Sequence, residues 1–465
     1  MYKIKFGTDG WREIIAENYT TENVQRVAHA SAKWLKTASN NHTVTVGYDC
    51  RFAGKMFAEY TARVMASHGI KVYLSKGFCS TPMISLANTK LSTFAGIIIT
   101  ASHNPPSYNG FKIKAHYGGP VIPAEIEKVE ALIDYGQLAE LPTLEQFISE
   151  GKIEYSDFET IYLEHIEAKF DVAKLKQYAP HFAYDAMYGA GQNIIKRLLP
   201  GASLLHCDYN PGFNGTAPEP ILKNLMEFSS LIESNSQLHC GLATDGDADR
   251  IGFFDGKGRF VDSHHLILLL MQYLTGHKGL SGKIVKSFSV SSKIDKLAKH
   301  LSLETITTKI GFKYICEYMI TDDVLIGAEE SGGIAVKGHI PERDGIWMGL
   351  LILEYMAVSG KSIEQLIDDT YAIVGAFAVE RYDLHIEESK KQEIISNCKN
   401  NVYTAFGSYK VEKIEDMDGF KFHLGNEEWV MIRPSGTEPV LRVYAESSNS
   451  EKAYKILDAC KAAIL

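Results

Sequence analysis

Three times before residue 370, short apolar runs rich in β-branched residues alternate with stretches of helical spacing, and this rhythm constrains the fold more than any single motif. Strands separated by helices pair side by side in one direction and are covered on both faces, so each unit is expected to be an α/β layer with a mainly parallel mixed sheet. The first unit, expected over 1–150, has strands at Lys3–Gly7, Thr43–Tyr48, Ile70–Leu74 and Phe94–Ile99 and helices at Thr21–Thr37 and Phe57–His68. The second, 151–256, opens with a connecting helix at Phe158–Phe170 and continues with strands at Phe182–Ala186, Ser203–Cys207 and Cys240–Thr244 and a helix at Gln192–Leu199. The third, 257–369, places helices at Leu266–Leu274, Ile294–His300 and Lys313–Met319 among strands at Lys283–Ser287, Thr305–Thr308 and Val324–Ile326. Near residue 370 the rhythm changes. Strands at Gly375–Tyr382, Phe420–Phe422, Glu428–Arg433 and Val440–Ala445, with helices at Glu388–Asn400 and Glu451–Ile464, predict a C-terminal α+β domain over 370–465.

In sheets of this kind ligands bind beyond the carboxyl ends of the strands, and polar motifs stand at those positions. After the run Phe94–Ile99 comes TASHNPPSYNGFK, Thr100–Lys112, in which two prolines and Asn109-Gly110 read as breakers of regular structure. Ser102 is a candidate nucleophile; its hydroxyl needs a base or a metal at neutral pH, and His103 and Lys112 are the local polar candidates. Read alone, a Ser-His pair before Asn-Pro serves equally well as a simple turn. After the strand Cys240–Thr244 comes DGDADR, whose Asp245, Asp247 and Asp249 would repel one another without a cation. An EF-hand is excluded, because Arg250 stands where the turn glycine belongs and Gly256 where the bidentate glutamate belongs.

GAEESGG, from Gly327, offers Glu329 and Ser331 to hydroxyl groups of a ligand, and RPSGTEP, from Arg433, offers a planar donor with Ser435, Gly436 and Thr437 for an anion. Arg12, in FGTDGWR, follows a glycine-bounded turn and could reach a phosphate; Lys286, Lys309, Lys337, His339 and Arg343 are further sources of positive charge. Two nucleotide motifs fail. Ile194 replaces the third glycine of a dinucleotide loop beginning at Gly189, and Ile284 follows Gly282-Lys283 where a phosphate loop requires a hydroxyl residue.

Composition narrows the classes. A chain of 465 residues with 45% hydrophobic and 23% charged residues is an ordinary globular composition with room for several cores. A net charge of −9 speaks against a nucleic-acid partner. The longest apolar stretch, Leu266–Met271, is too short to cross a bilayer, and the amino terminus lacks the apolar core of a signal peptide, so no membrane partner is expected. Seven scattered cysteines without a C-x-x-C suggest free thiols and a cytoplasmic location.

TASHNPPSYNGFK, DGDADR, GAEESGG and RPSGTEP, in that order and preceded by FGTDGWR, resemble the motifs of the α-D-phosphohexomutases, the family of phosphoglucomutases and phosphomannomutases, over essentially the whole chain. The resemblance implies four domains around a central cleft, with Ser102 as a phosphorylated serine and Mg²⁺ held by Ser102, Asp245, Asp247 and Asp249. It implies that Arg250 is available to the serine phosphate or the substrate, that Glu329 and Ser331 hold sugar hydroxyls, and that Arg433, Ser435, Gly436 and Thr437 hold the substrate phosphate. Arg12, Lys112 and His103 are then candidates for proton transfer and charge stabilisation. The implied reaction interconverts hexose 1-phosphate and hexose 6-phosphate through a bisphosphate, with glucose 1,6-bisphosphate as activator and a monomer or homodimer as the assembly. GAEESGG and KIGFKYI look most like phosphoglucomutases, with mannose and glucosamine phosphates as alternatives. Gly333 stands where some relatives carry a histidine. A metal-dependent sugar phosphatase using the same serine, and a non-catalytic sugar-phosphate sensor, are the rival classes.

Overall fold

The computed structural model describes residues 2–434 and 440–465. Ser435, Gly436 and Thr437 therefore lie outside the described residues. The first unit runs β1 (Trp11–Ile14), α1 (Thr21–Ala38), β2 (Thr43–Tyr48), α2 (Gly54–Ser67), β3 (Lys71–Ser75), α3 (Thr81–Lys90), β4 (Ala95–Ile99), β5 (Tyr108–Ala115), α4 (Pro123–Ala131), α5 (Leu144–Ser149) and β6 (Ile153–Ser156). Its sheet has the order β1-β5-β4-β2-β3-β6. The second contains α6 (Phe158–Glu167), α7 (Val172–Tyr178), β7 (Phe182–Asp185), α8 (Gln192–Leu198), β8 (Ser203–Leu205), α9 (Met226–Glu233), β9 (Cys240–Thr244), β10 (Ile251–Asp255) and β11 (Phe260–Val261), with sheet order β11-β10-β9-β7-β8.

The third contains α10 (Ser263–Gln272), β12 (Lys283–Ser287), α11 (Lys293–His300), β13 (Thr305–Thr308), α12 (Phe312–Thr321), β14 (Val324–Ala328), β15 (Ile334–Val336), α13 (Gly345–Ser359) and α14 (Ile363–Val374), with sheet order β13-β12-β14-β15. The last contains β16 (Ala378–His385), α15 (Glu388–Lys399), β17 (Ala405–Phe406), β18 (Tyr409–Lys410), β19 (Lys413–Glu415), β20 (Phe420–Gly425), β21 (Glu428–Pro434), β22 (Val440–Ser447) and α16 (Ser450–Ile464). Its main sheet, β16-β22-β21-β20-β19, is antiparallel throughout. Three similar α/β units and a distinct C-terminal domain are thus present, as the alternation predicts.

The first three units share a detail beyond alternation. In each, a buried parallel strand (β4, β9, β14) ends in a polar loop and returns as an antiparallel neighbour (β5, β10, β15). The loops so formed are those of Ser102, Asp245 and Glu329. Units two and three share one hydrophobic core, which α3 of the first unit joins through Met83 and Ile84; the first unit keeps a core of its own around Trp11, Val44 and Phe111. The last unit docks on the third through Phe288, Trp429, Met431 and Tyr444.

Two sequence expectations are corrected. Lys3–Gly7 is not a strand: the amides of Ile4 and Phe6 donate to Tyr135 Oη and Glu130 Oε1, and that of Gly7 to the Gly10 carbonyl, so α4 and the segment after it take the place of a sheet partner. Asn109-Gly110 does not break the chain but lies inside β5, paired with Glu13 and Arg12 of β1.

No single helix among the described residues is long and apolar enough to cross a membrane; the apolar pair α13 and α14 is bent by 87°. The amino end of α13 anchors the third unit. Asp344, fully buried, caps it by accepting from Trp347 N at 3.0 Å while also accepting from Tyr162 Oη at 2.8 Å and bonding His339 Nε2 at 2.9 Å. Asp344→Ala should lower the denaturant midpoint by the equivalent of roughly 3 kcal/mol, because a cap and two further partners are stranded, whereas Tyr162→Phe should cost only about 1 kcal/mol.

Candidate active site

Ser102 follows β4 with its backbone at φ +52°, and its hydroxyl donates to Asp245 Oδ2 at 2.6 Å, joining the loops of the first two units. The approach is close: a Cβ on Gly246 would lie 2.5 Å from the Ser102 carbonyl oxygen, so the Asp245 loop fits there only without a side chain. His103 Nδ1 stands 3.4 Å from Ser102 Oγ. Burial, reinforced by Arg250 and Arg12, holds the His103 imidazole well below its ordinary range, so it is neutral.

The three aspartates are fully buried at the end of β9, with one oxygen of each within 4.8 Å of the others. Asp245 Oδ1 is occupied by the amides of Asp249 and Arg250. Asp247 Oδ2 accepts from Thr81 Oγ1 at 2.5 Å and Lys112 Nζ at 2.8 Å, and Asp249 Oδ2 from Arg343 Nη2 at 2.6 Å and Lys112 Nζ at 3.2 Å. The remaining oxygens, Asp247 Oδ1 and Asp249 Oδ1, are buried and have no partner among the described residues. Burial first, and then the charge of Asp247 and Asp249, pushes the Asp245 carboxyl far above the usual carboxylate range. The cluster therefore suits a hard cation: one oxygen of each carboxylate lies within 4.8 Å of the others, and two of the carboxylate oxygens have no donor among the described residues.

Lys112, on β5, is fully buried; burial pulls its ammonium down, but Asp247, Asp249 and Asp9 together raise it above its ordinary value and keep it charged. Arg12, on β1, donates to Asn104 Oδ1 at 2.7 Å and so faces the Ser102 loop from the other side. Arg250 lies 3.6 Å from Glu219, and its buried Nε is unpartnered among the described residues. Glu329 Oε1 accepts from Gly311 N at 3.0 Å, and burial pushes its carboxyl up to about 7. Ser331 is half-buried on the same loop and makes no hydrogen bond among the described residues. Arg433, at the end of β21, lies 3.5 Å from Asp418. Its charge also reaches the third unit: burial pushes the Glu330 carboxyl up, but Ser289, the Glu330 backbone, His264 and Arg433 bring it below the ordinary range.

Asp9 escapes a reading of the sequence, whereas Arg343, expected only as a further source of positive charge, takes a central place. Asp9 accepts from Lys112 at 2.9 Å and Arg343 at 2.5 Å, and Arg343 also comes within 3.9 Å of Glu329, so one guanidinium ties together the first three units. The DG of FGTDGWR and the ERDG of residues 342–345 are the only local signals for them. Arg343 also occupies the space beside Gly333, where a Cβ would lie 2.5 Å from its Cδ. Lys337 and His339 are committed elsewhere, to Asp323 and to Asp344.

Four family models match in chain order, described as phosphoglucomutase/phosphomannomutase α/β/α domain I over residues 3–140, domain II over 160–258, domain III over 262–374 and the C-terminal domain over 396–463. A phosphoglucomutase/phosphomannomutase of Thermococcus kodakarensis is 30% identical, over 97% of this chain and 96% of its own. A phosphoglucosamine mutase of Methanocaldococcus jannaschii is also 30% identical, over 97% and 96%. A crystal structure from Thermus thermophilus, provisionally assigned as a phosphomannomutase, superposes with a TM-score of 0.88 at 32% identity, covering 100% of this chain and 99% of that one. With motifs, domain order and fold in agreement along its length, the chain belongs to the phosphoglucomutase/phosphomannomutase family, the α-D-phosphohexomutases, and is an intramolecular phosphotransferase of the isomerase type.

Proposed function

We propose that this enzyme interconverts hexose 1-phosphate and hexose 6-phosphate, glucose phosphate above others, through a phosphoryl group carried on Ser102 and a hexose 1,6-bisphosphate intermediate. The observation that carries this reading is the Ser102 hydroxyl, held 2.6 Å from Asp245 at the edge of three buried carboxylates. The donor set fits Mg²⁺: Asp247 Oδ1 and Asp249 Oδ1 are unpartnered among the described residues, and carboxylate oxygen is the ligand this ion prefers. Ser102, Asp245, Asp247 and Asp249 would hold it, and when bound it supplies positive charge that eases the approach of one oxygen anion to another.

The residues divide the remaining work. A free sugar hydroxyl attacks the phosphorus on Ser102, the Oγ–P bond breaks and the bisphosphate forms; the sugar then turns, and Ser102 Oγ takes the phosphoryl group from the other end. His103, whose Nδ1 lies 3.4 Å from Ser102 Oγ, is our candidate to receive the proton of the attacking hydroxyl. Lys112, kept charged by the carboxylates around it, and Arg12 stabilise negative charge near the transferring group. Arg433, Ser435, Gly436 and Thr437 hold the phosphate that is not reacting, with Arg250 beside the other. Glu329 and Ser331 grip adjacent ring hydroxyls in both orientations. Glucose 1,6-bisphosphate serves as activator by phosphorylating Ser102. Glucose is favoured on GAEESGG and KIGFKYI, while the names of the relatives keep mannose and glucosamine phosphates as alternatives. We also place the enzyme in the cytoplasm, in keeping with seven buried, free cysteines.

Coupled assays on glucose, mannose and glucosamine 1-phosphates should give the highest kcat/KM with glucose and stimulation by glucose 1,6-bisphosphate. Ser102→Ala should lose more than about 1,000-fold in kcat; equal turnover would remove Ser102 from the reaction, and steady release of inorganic phosphate would mark a phosphatase. Asp247→Asn should raise the Mg²⁺ needed for half-maximal activity by at least about tenfold, with a matching loss of Mg²⁺ affinity by calorimetry. Below a pH of about 7 Glu329 is neutral and above it a carboxylate able to accept from sugar hydroxyls. The kcat/KM should therefore rise between about pH 6 and pH 8, and Glu329→Gln should flatten that rise.

A further inference from the structure

Ser102 is a residue with a Cβ held in the left-handed region, at φ +52°, a conformation that persists only when its surroundings impose it. The groups that impose it, Arg51, Asp49 and Thr100, make no hydrogen bond to the three aspartates among the described residues. Arg51, three residues beyond β2, has a fully buried side chain. Its Nη1 donates to the carbonyls of Pro105 at 2.9 Å and Tyr108 at 3.0 Å, and its Nη2 to those of Ser102 at 2.6 Å and Asn104 at 2.7 Å. One guanidinium thus gathers four carbonyls of the loop that carries the serine. Asp49 completes the arrangement: it lies 3.3 Å from Arg51 Nε, accepts the Arg51 amide at 2.9 Å and accepts Thr100 Oγ1 at 2.5 Å. Thr100 Oγ1 in turn accepts the amide of Ser102 at 2.9 Å. Both peptide groups of Ser102 are therefore clamped, the N–H by Thr100 and the C=O by Arg51.

Four carbonyl dipoles pointing inward in a buried place need a cation with several donors in a fixed plane, which lysine, a point charge on a flexible stem, does not provide. None of these bonds involves Ser102 Oγ. The clamp is consequently the same whether that oxygen is free or carries a phosphoryl group, and the loop need not rearrange at each transfer. The guanidinium also lies 5.0 Å from the ring centre of Phe213, on the unit that carries Asp245, so the clamp bears on both sides of the Ser102–Asp245 contact.

We propose that Arg51, with Asp49 and Thr100, is a positioning unit that fixes the backbone of Ser102 so that Oγ is aimed at the reacting phosphorus, and that it sets the rate of phosphoryl transfer without contributing to substrate binding. This rests on the reading of Ser102 as the phosphoryl carrier. The test uses the full-length Mg²⁺-loaded enzyme and the variants Arg51→Lys, Arg51→Ala, Thr100→Val and Ser102→Ala. It measures kcat and KM for glucose 1-phosphate, the rate of Ser102 phosphorylation by glucose 1,6-bisphosphate followed by mass spectrometry, and thermal unfolding. Arg51→Lys should lower kcat by about 100-fold and the phosphorylation rate in proportion, with KM within about threefold of wild type. Guanidinium ion at millimolar concentration should restore Arg51→Ala by at least about tenfold and leave wild type and Ser102→Ala unmoved.

Should the Arg51 variants fail to fold, Thr100→Val, close to isosteric, decides: about a tenfold loss in kcat at constant KM upholds the clamp. Wild-type kcat and phosphorylation rate in folded Arg51→Lys or Thr100→Val overturn it, as does a loss confined to KM. Turnover retained by Ser102→Ala brings down the underlying reading and the clamp with it. An inactive Ser102→Ala beside a fully active Thr100→Val brings down the clamp alone.

Discussion

Everything at the centre of this molecule depends on burying carboxylates beside one another. Asp245, Asp247 and Asp249 are fully removed from solvent, and no hydrophobic gain could support that arrangement without compensating charge. Lys112 and Arg343 supply it, one from the first unit and one from the third, and Asp9 bridges the two cations. The ion network is therefore also the joint between units: none of the three can move away without leaving a buried charge unpaired. Saturation is deliberately incomplete, since Asp247 Oδ1 and Asp249 Oδ1 face no donor among the described residues. A cluster that bound its own cations completely would have nothing left for an external one.

The same supersecondary device builds three of the four motifs. A buried parallel strand, a polar loop and an antiparallel return occur as β4–β5, β9–β10 and β14–β15. Parallel strands alone would send the chain away through a helix after each loop. The antiparallel return keeps both ends of the loop tied to the sheet, so the Ser102, Asp245 and Glu329 loops are held by hydrogen-bonded strands on either side. That rigidity matters where the site relies on placement. Phosphoryl transfer is governed mainly by positioning and electrostatics, and stiff supports suit both.

Legibility in the sequence followed amphipathicity and local density of charge. Strands such as Thr43–Tyr48, Cys240–Thr244 and Lys283–Ser287 are found with their own bounds because apolar runs are bordered by breakers. Helices α3 and α13 leave no such trace: nearly every residue of each is buried, so neither has a polar face to reveal a period. Three aspartates within five residues after a buried strand have little structural use and stand out. By contrast, Asp9 and Arg343 are 334 residues apart: Asp9 looks like an ordinary surface charge, and Arg343 like one more source of positive charge, until folding brings them together. Arg51 and Thr81 are invisible for the same reason, since their partners lie on distant loops. The Asn109-Gly110 pair misleads in the opposite direction, because its turn propensity is overridden by pairing on both sides of β5.

The last domain raises a different question, how an antiparallel sheet carrying Arg433 can work with loops on the other units. Its attachment to the third unit is specific: Lys421 Nζ donates to the Phe288 carbonyl at 2.5 Å, and Ser292 donates to Glu446 through its amide at 3.1 Å and its hydroxyl at 2.5 Å. Between those two anchors, Ser289 donates at 2.5 Å to Glu330, the neighbour of Glu329. The segment that receives the last domain is thus the one that braces the Glu329 loop. In the proposed reaction the sugar reverses while Ser102 stays fixed, so the groups that must keep register with one another are those gripping the ring and those gripping the far phosphate. A common support for these two keeps the groups proposed to grip the ring and the far phosphate in register with one another, while Arg343 and Asp9 tie that support to the unit of Ser102.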